Sequence, residues 1–203
     1  MLIEFEPWMK YPDLTEDRLV AVANEIRHVR SECVMLHRPE DGDGNWCLSC
    51  RVYERTFRTI TRLSSELDWL KINSELNALQ FSFRIGSVPL RFYKGRPKDP
   101  PSRYLTHSDG EIAAIQLCLA LEGTPVGDTV VRLAVAVGAD LEVSSISLVE
   151  IDEYMEPIAV YRVPVQVHVT NVVPMQAPPV SMPPAIAAPR KREQQEEVNA
   201  AAG

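Results

Sequence analysis

The sequence predicts an α+β domain, and three observations carry that prediction. Two long segments near the N-terminus repeat apolar residues every three or four positions, the period of an amphipathic helix. From about residue 67 the repeat becomes two, the period of a half-buried strand. A nearly all-apolar helical segment, about 109–122, then separates two groups of strand-like segments. The predicted order is ααβββαβββ: an N-terminal helical hairpin, then mainly antiparallel sheet in two meanders, about 67–93 and 129–169, with one buried helix between them. Short links between consecutive strands favour meanders over a doubly wound sheet. A helical layer is expected on one sheet face.

The first helix is expected over 15–37, with Leu19, Val22, Ile26, Val29, Cys33 and Leu36 on one stripe. Asp13 and Glu16 have the spacing of a capping box at its start. The glycine-rich loop 38–45 ends it. A second helix over about 46–65 carries Trp46, Cys50, Tyr53, Phe57, Ile60 and Leu67 as its stripe, and the short loop predicts an antiparallel hairpin of helices. Residues 67–73 read as a short strand. Segments 80–85 and 88–93 flank Gly86–Ser87, a type II′ hairpin signal. That turn sets Ile85 opposite Val88, Phe83 opposite Leu90 and Phe81 opposite Phe92. Arg84, Ser82 and Arg91 fall on the other face, read as solvent-exposed, together with Gln80 and Tyr93. Ser108 and Glu111 make a second capping box, and Gly123 suits a helix stop. Strands are expected over 129–137, 143–151 and 158–169. Pro164 cannot donate to a ladder, so the last is expected at a sheet edge.

Composition changes near residue 171. Six of the sixteen prolines lie in 171–203, which predicts an extended, disordered proline-rich tail behind a single domain of residues 1–170. Arg190, Lys191 and Arg192 are balanced there by Glu193, Glu196 and Glu197, so the net charge of −7 belongs to the folded part. An acidic chain argues against coating nucleic acid by bulk charge. The most apolar stretch, 112–121, is too short to cross a bilayer. Glu4 and Glu6 stand where a signal peptide needs a basic and then an apolar run. The expectation is a cytoplasmic protein with reduced thiols and no membrane contact.

Two clusters of side chains are candidate sites. Cys33 and His37 lie one helical turn apart, and Cys47 and Cys50 follow across the loop as a C-x2-C pair. Two such pairs could supply four zinc ligands. Cys33 and Cys50 also sit on apolar stripes, where a thiol is an ordinary small core residue, so no cofactor is expected and structural zinc is the alternative. The second candidate is basic. Arg51, Arg55, Arg58 and Arg62 step by four, three and four along the second helix, Arg84 and Arg91 are diagonal neighbours on the hairpin, and Lys94 and Arg96 follow. Paired guanidinium groups suit a carboxylate or phosphate, although charged helix faces usually meet solvent and intramolecular carboxylates.

Catalytic signatures are missing from the sequence. There is no G-x-S-x-G, no phosphate-cradling glycine loop and no H-E-x-x-H. Asp140 and Glu142 lack a completing lysine, and Asp41 and Asp43 make only half of a calcium loop. His107 reads as part of a helix start. The sequence therefore predicts a non-catalytic interaction protein, an adaptor, regulator or chaperone-like module. It would bind a protein partner or itself, possible homodimers included, through a sheet edge or the basic helix and hairpin surface. The alternative is a nucleic-acid-associated accessory factor using the same arginines. The α–β–β–β–α–β–β order over about residues 46–151 resembles the secretion-chaperone type of α+β module, which acts as a dimer. The resemblance is one of element order and implies self-association.

Overall fold

The computed structural model describes residues 2–73, 81–122 and 129–165, and of residues 114 and 117–122 the backbone alone. Its elements are β1 (Ile3–Glu4), α1 (Pro7–Lys10), α2 (Glu16–Met35), α3 (Asn45–Glu66), β2 (Leu70–Ile72), β3 (Phe83–Ile85), β4 (Val88–Lys94), α4 (Asp109–Glu122), β5 (Val130–Val137), β6 (Val143–Ile151) and β7 (Pro157–Val163). Single 3-10 turns occur at Pro39–Asp41 and Ser102–Tyr104. The class is α+β. All seven strands join one mixed sheet, in the order β1-β7-β6-β5-β4-β3-β2.

Two antiparallel meanders, β2–β3–β4 and β5–β6–β7, are fused through a parallel β4–β5 pair. A parallel pair cannot be closed by a tight turn, so the α4 crossover falls between those two strands. β7 is not the edge strand the proline suggested. Ile3 and Glu4 pair in parallel with Ala159 and Val160, so β1 forms the outermost strand. A two-residue strand has no periodicity to read. Gln80, Gly123, residues 166–170 and the proline-rich segment 171–203 lie outside the described residues.

The central hairpin folds in the predicted register, with Phe83 opposite Leu90, Arg84 opposite Pro89 and Ile85 opposite Val88. Gly86 has φ +57° and Ser87 has no positive φ, the signature of a type II′ turn. A side chain at residue 86 would strike the Asp13 carboxylate. Asp13 itself leaves the expected capping box. Thr15 is the N-cap of α2, and the Asp13 carboxylate accepts hydrogen bonds from the Ser87 N–H and hydroxyl at 2.9 Å each. The helix start is thereby tied to the hairpin turn.

The helical face of the sheet carries the larger core. Leu19, Val22 and Ile26 of α2 and Phe57 and Ile60 of α3 pack on Phe83, Leu90, Leu133 and Leu148. Tyr53, Phe81 and Phe92 add a ring cluster with centroids 5.4 to 6.0 Å apart. The helices run antiparallel, since Arg51 reaches the Leu36 carbonyl while Arg55, one turn on, faces Glu32, one turn back. Between them Val29, Cys33, Leu48 and Val52 form a smaller core. The buried stripe of α3 is therefore Leu48, Val52, Thr56, Phe57 and Ile60, not the one that includes Trp46 and Cys50, which are exposed. The first half of α3 packs on α2 and the second half on the sheet, so its contacting side rotates along the helix.

Beneath the opposite sheet face lie Tyr93, Tyr104, Val130, Ala134, Val149 and Ile151. At the start of α4, Ile112 is exposed and Glu111 is fully enclosed, the reverse of what their polarity suggests.

Candidate functional site

The basic residues do not gather. Each α3 arginine meets a carboxylate: Arg51 with Asp43 at 3.6 Å, Arg55 with Glu32 at 3.8 Å, Arg58 with Glu54 at 2.8 Å and Arg62 with Glu66 at 3.6 Å. The last two are exposed pairs within one helix, worth a few tenths of a kcal/mol each. Arg84 and Arg91 fall across the sheet from α3. Arg84 donates to the Gly86 carbonyl at 3.0 Å. Arg91, expected in solvent, is buried. It donates to the Arg103 carbonyl at 3.1 Å and stacks on Tyr104, 4.5 Å from the ring centre. The hairpin alternation was read correctly, but both of its faces are covered. Lys94 and Arg96 are exposed at the end of β4 and in the loop behind it.

Arg91 belongs to a buried charged cluster that the sequence did not announce. Arg132, mid-strand in β5, is 0% exposed. It pairs with Glu111 of α4 at 2.6 Å and donates to the carbonyls of Tyr104, Thr106 and Val131. Glu111 also accepts from the Ser108 N–H at 2.8 Å and hydroxyl at 3.0 Å, so the predicted capping partner does bridge to Ser108. Burial disfavours the Arg132 charge more than Glu111 restores it, and its pKa is pushed down to about 10. Burial likewise lowers the pKa of His107, against the pull of Glu111. The lone arginine in the apolar run 130–137 was the available signal. Such a residue in a two-sided strand needs an internal partner. The cluster knits the 102–111 segment to the sheet and is closed to substrates.

The metal candidates also separate. Cys33 lies in the helical core, where burial pushes its thiol pKa up. Cys50 faces solvent. His37 and Cys47 approach the same Asp43 carboxylate, each at 3.7 Å, and the Arg51 guanidinium already stands beside that carboxylate. The Asp43 pKa is lowered, first by the Arg38 N–H and then, against slight burial, by Arg51. Among the described residues no group of three or more His, Cys, Asp or Glu is placed to hold a metal ion.

What the fold does assemble is an acidic and apolar surface around the β1 edge. Lys10 of α1 is bonded to Glu150 of β6, and Tyr11 donates to the same carboxylate at 3.2 Å. Burial works against the Lys10 charge, but Glu150 outweighs it and raises its pKa. Trp8 stacks edge-on to Tyr161. These contacts fix α1 beside β7, where β1 also lies. The β6–β7 turn closes the same end. Asp152 accepts from the N–H groups of Tyr154 at 3.0 Å and Glu156 at 2.9 Å. Met155 takes φ +64°, a conformation uncommon for a side chain of its size. The turn thus holds Tyr154, 77% exposed, and Met155 out into solvent. Ile3 of β1, Met9 of α1 (79% exposed) and Ile158 of β7 are exposed as well. Glu4, Glu6, Glu153 and Glu156 are exposed carboxyl side chains on the same segments. A cleft of about 460 Å³ opens beside the β1–β7 pair, lined by Glu4, Phe5, Glu6, Val160, Tyr161 and Arg162.

Comparison with protein-family models, with curated proteins and with solved structures finds no match, so the likeness to secretion-chaperone modules remains one of element order. No helix among the described residues is long and apolar enough to cross a membrane.

Proposed function

We propose that this chain is a non-catalytic protein-binding module whose partner is a basic, apolar segment docking at the β1 edge and the β6–β7 turn. One observation carries the reading: a turn pinned by Asp152 presents Tyr154 and Met155 to solvent among exposed carboxylates. Large exposed apolar side chains on an ordered turn are a recognition feature rather than a solubility feature. Among the described residues no further strand pairs with the outer side of β1, and a partner strand can extend such an edge. The carboxylates select a cationic partner. They also disfavour pairing of this surface with its own copy, because like charges would face each other. The alternative of phosphate recognition draws no support from arginines that pair internally and lie on opposite sides of the sheet.

The test is titration of the full chain with a synthetic peptide of alternating Lys and Val, against a Glu and Val counterpart. The basic peptide should bind saturably and more weakly as salt rises. The double variant Y154S/M155S should lose at least about tenfold in affinity, the scale of an anchor residue, with an unchanged circular dichroism spectrum. Equal binding of both peptides, or equal affinity of wild type and variant, would overturn the assignment. Dimerisation seen by sedimentation and abolished by Y154S/M155S would assign the surface to a second copy instead.

A further inference from the structure

We propose that Cys47 and Cys50 form a redox-active dithiol, which exchanges with small disulfides and closes reversibly into a disulfide within α3. Both are free thiols, Cys50 exposed and Cys47 half-exposed. Cys47 stands between two charges. Its S–H points to Asp43 Oδ1 at 3.7 Å, and Arg51 Nη2 points to its sulfur at 3.9 Å. The reactive species is the thiolate. Arg51 faces the anion that forms when the thiol loses its proton to solvent. Asp43 is held beside the thiol by the Arg38 N–H at 3.0 Å and by Arg51. The positive end of α3 acts in the same direction.

Helix geometry brings the two residues within reach. Positions three apart on an α-helix have Cα atoms ~5 Å apart, inside the roughly 4.4–6.8 Å that disulfides span. Their Cβ atoms, about 5–6 Å apart, must close to about 4 Å. Cys47 lies in the first turn of α3, and Leu48 is the first residue of that helix whose N–H finds a carbonyl four residues back, that of Gly44. The Cys47 N–H lies ahead of that first bond, so no helical bond from its own N–H resists the movement. A bond formed under such strain is easily reduced again. Cys33, enclosed in the helical core, takes no part.

With oxidised glutathione the steps balance. The Cys47 thiolate attacks one glutathione sulfur, and the expelled glutathione thiolate takes up the Cys47 proton. Cys50 then loses its proton and attacks the Cys47 sulfur as the thiolate, and the second glutathione thiolate expelled takes up that proton. Two electrons pass from the dithiol to the disulfide, leaving one protein disulfide and two reduced glutathiones.

The test incubates the full chain with oxidised glutathione, traps free thiols by alkylation and maps peptides by mass. Wild type should lose two hydrogens in the peptide holding Cys47 and Cys50, and dithiothreitol should restore them. C50S should stop at glutathione on Cys47, and C47S should form no internal disulfide. R51Q should react at least about threefold more slowly, through loss of thiolate stabilisation. Far-UV circular dichroism establishes that each variant is folded. Retention of both thiols while a small control dithiol oxidises, glutathione on Cys50 alone in wild type, or an unchanged rate in R51Q would overturn the proposal. Stoichiometric zinc uptake that masks both thiols would also overturn it and assign the pair to a metal.

Discussion

Replacing Arg132 with Met should cost far more than its modest pairing energy suggests. Wild-type Arg132 gains two contacts with Glu111, at 2.6 and 3.2 Å, and three with backbone carbonyls. Burial outweighs these contacts for the charged guanidinium, as its lowered pKa shows. The intact pair is therefore no net source of stability. A single replacement is different, because Glu111 stays enclosed with its partner gone. Breaking a buried pair from one side costs about 3–5 kcal/mol. Arg91, 3.9 Å from Glu111, and the Ser108 donors remain, which places R132M toward the lower end. That is a large share of a typical domain stability of about 5–15 kcal/mol. E111Q should cost a similar amount by stranding Arg132. R132M/E111Q should cost less than the sum of the two by about 2 kcal/mol, the coupling expected of direct partners. Urea unfolding measures all four proteins, with an unchanged m-value identifying stability as the quantity altered. A cost below about 1 kcal/mol for R132M, or simple additivity in the cycle, would refute this account of the cluster.

G86A should destabilise by more than about 1 kcal/mol, through its positive φ and the collision with Asp13; an unchanged urea midpoint would contradict the turn. Burial pushes the Asp13 carboxyl pKa up, but the Ser87 N–H and hydroxyl and Arg18 outweigh it and hold the value below 3.8. A depressed carboxyl supplies stability that is present above its unfolded value and fades as pH falls through the folded one. D13N should accordingly flatten the fall of the urea midpoint below about pH 4, and an identical slope in the variant would remove Asp13 as its source. F83A empties a fully buried position on the sheet and should cost about 3–5 kcal/mol by the same assay.

The helical hairpin, the order of elements from α2 to β7 and the register of residues 83–90 were legible because they rest on contiguous residues. Alternation fixes which side chains share a face, and Gly86–Ser87 fixes the turn. The same logic failed wherever a second layer decided the outcome. Trp46 and Cys50 were assigned to the buried stripe of α3 because a helical repeat does not tell which neighbour the helix meets at each turn. Arg91 was sent to solvent because alternation separates two faces without saying that the 102–111 segment covers the second.

Of the two sites proposed from the structure, only the C-x2-C pair stood out by local spacing, and its charged setting comes from Asp43 and Arg51. The surface around Tyr154 left no mark in the sequence, since it combines segments some 150 residues apart. By itself the sequence determined the periods, the turn and the pairing they impose, because these depend on neighbours along the chain. Only the tertiary structure decided which polar groups lie inside and which apolar ones remain in water, because that depends on contacts between segments far apart in the chain.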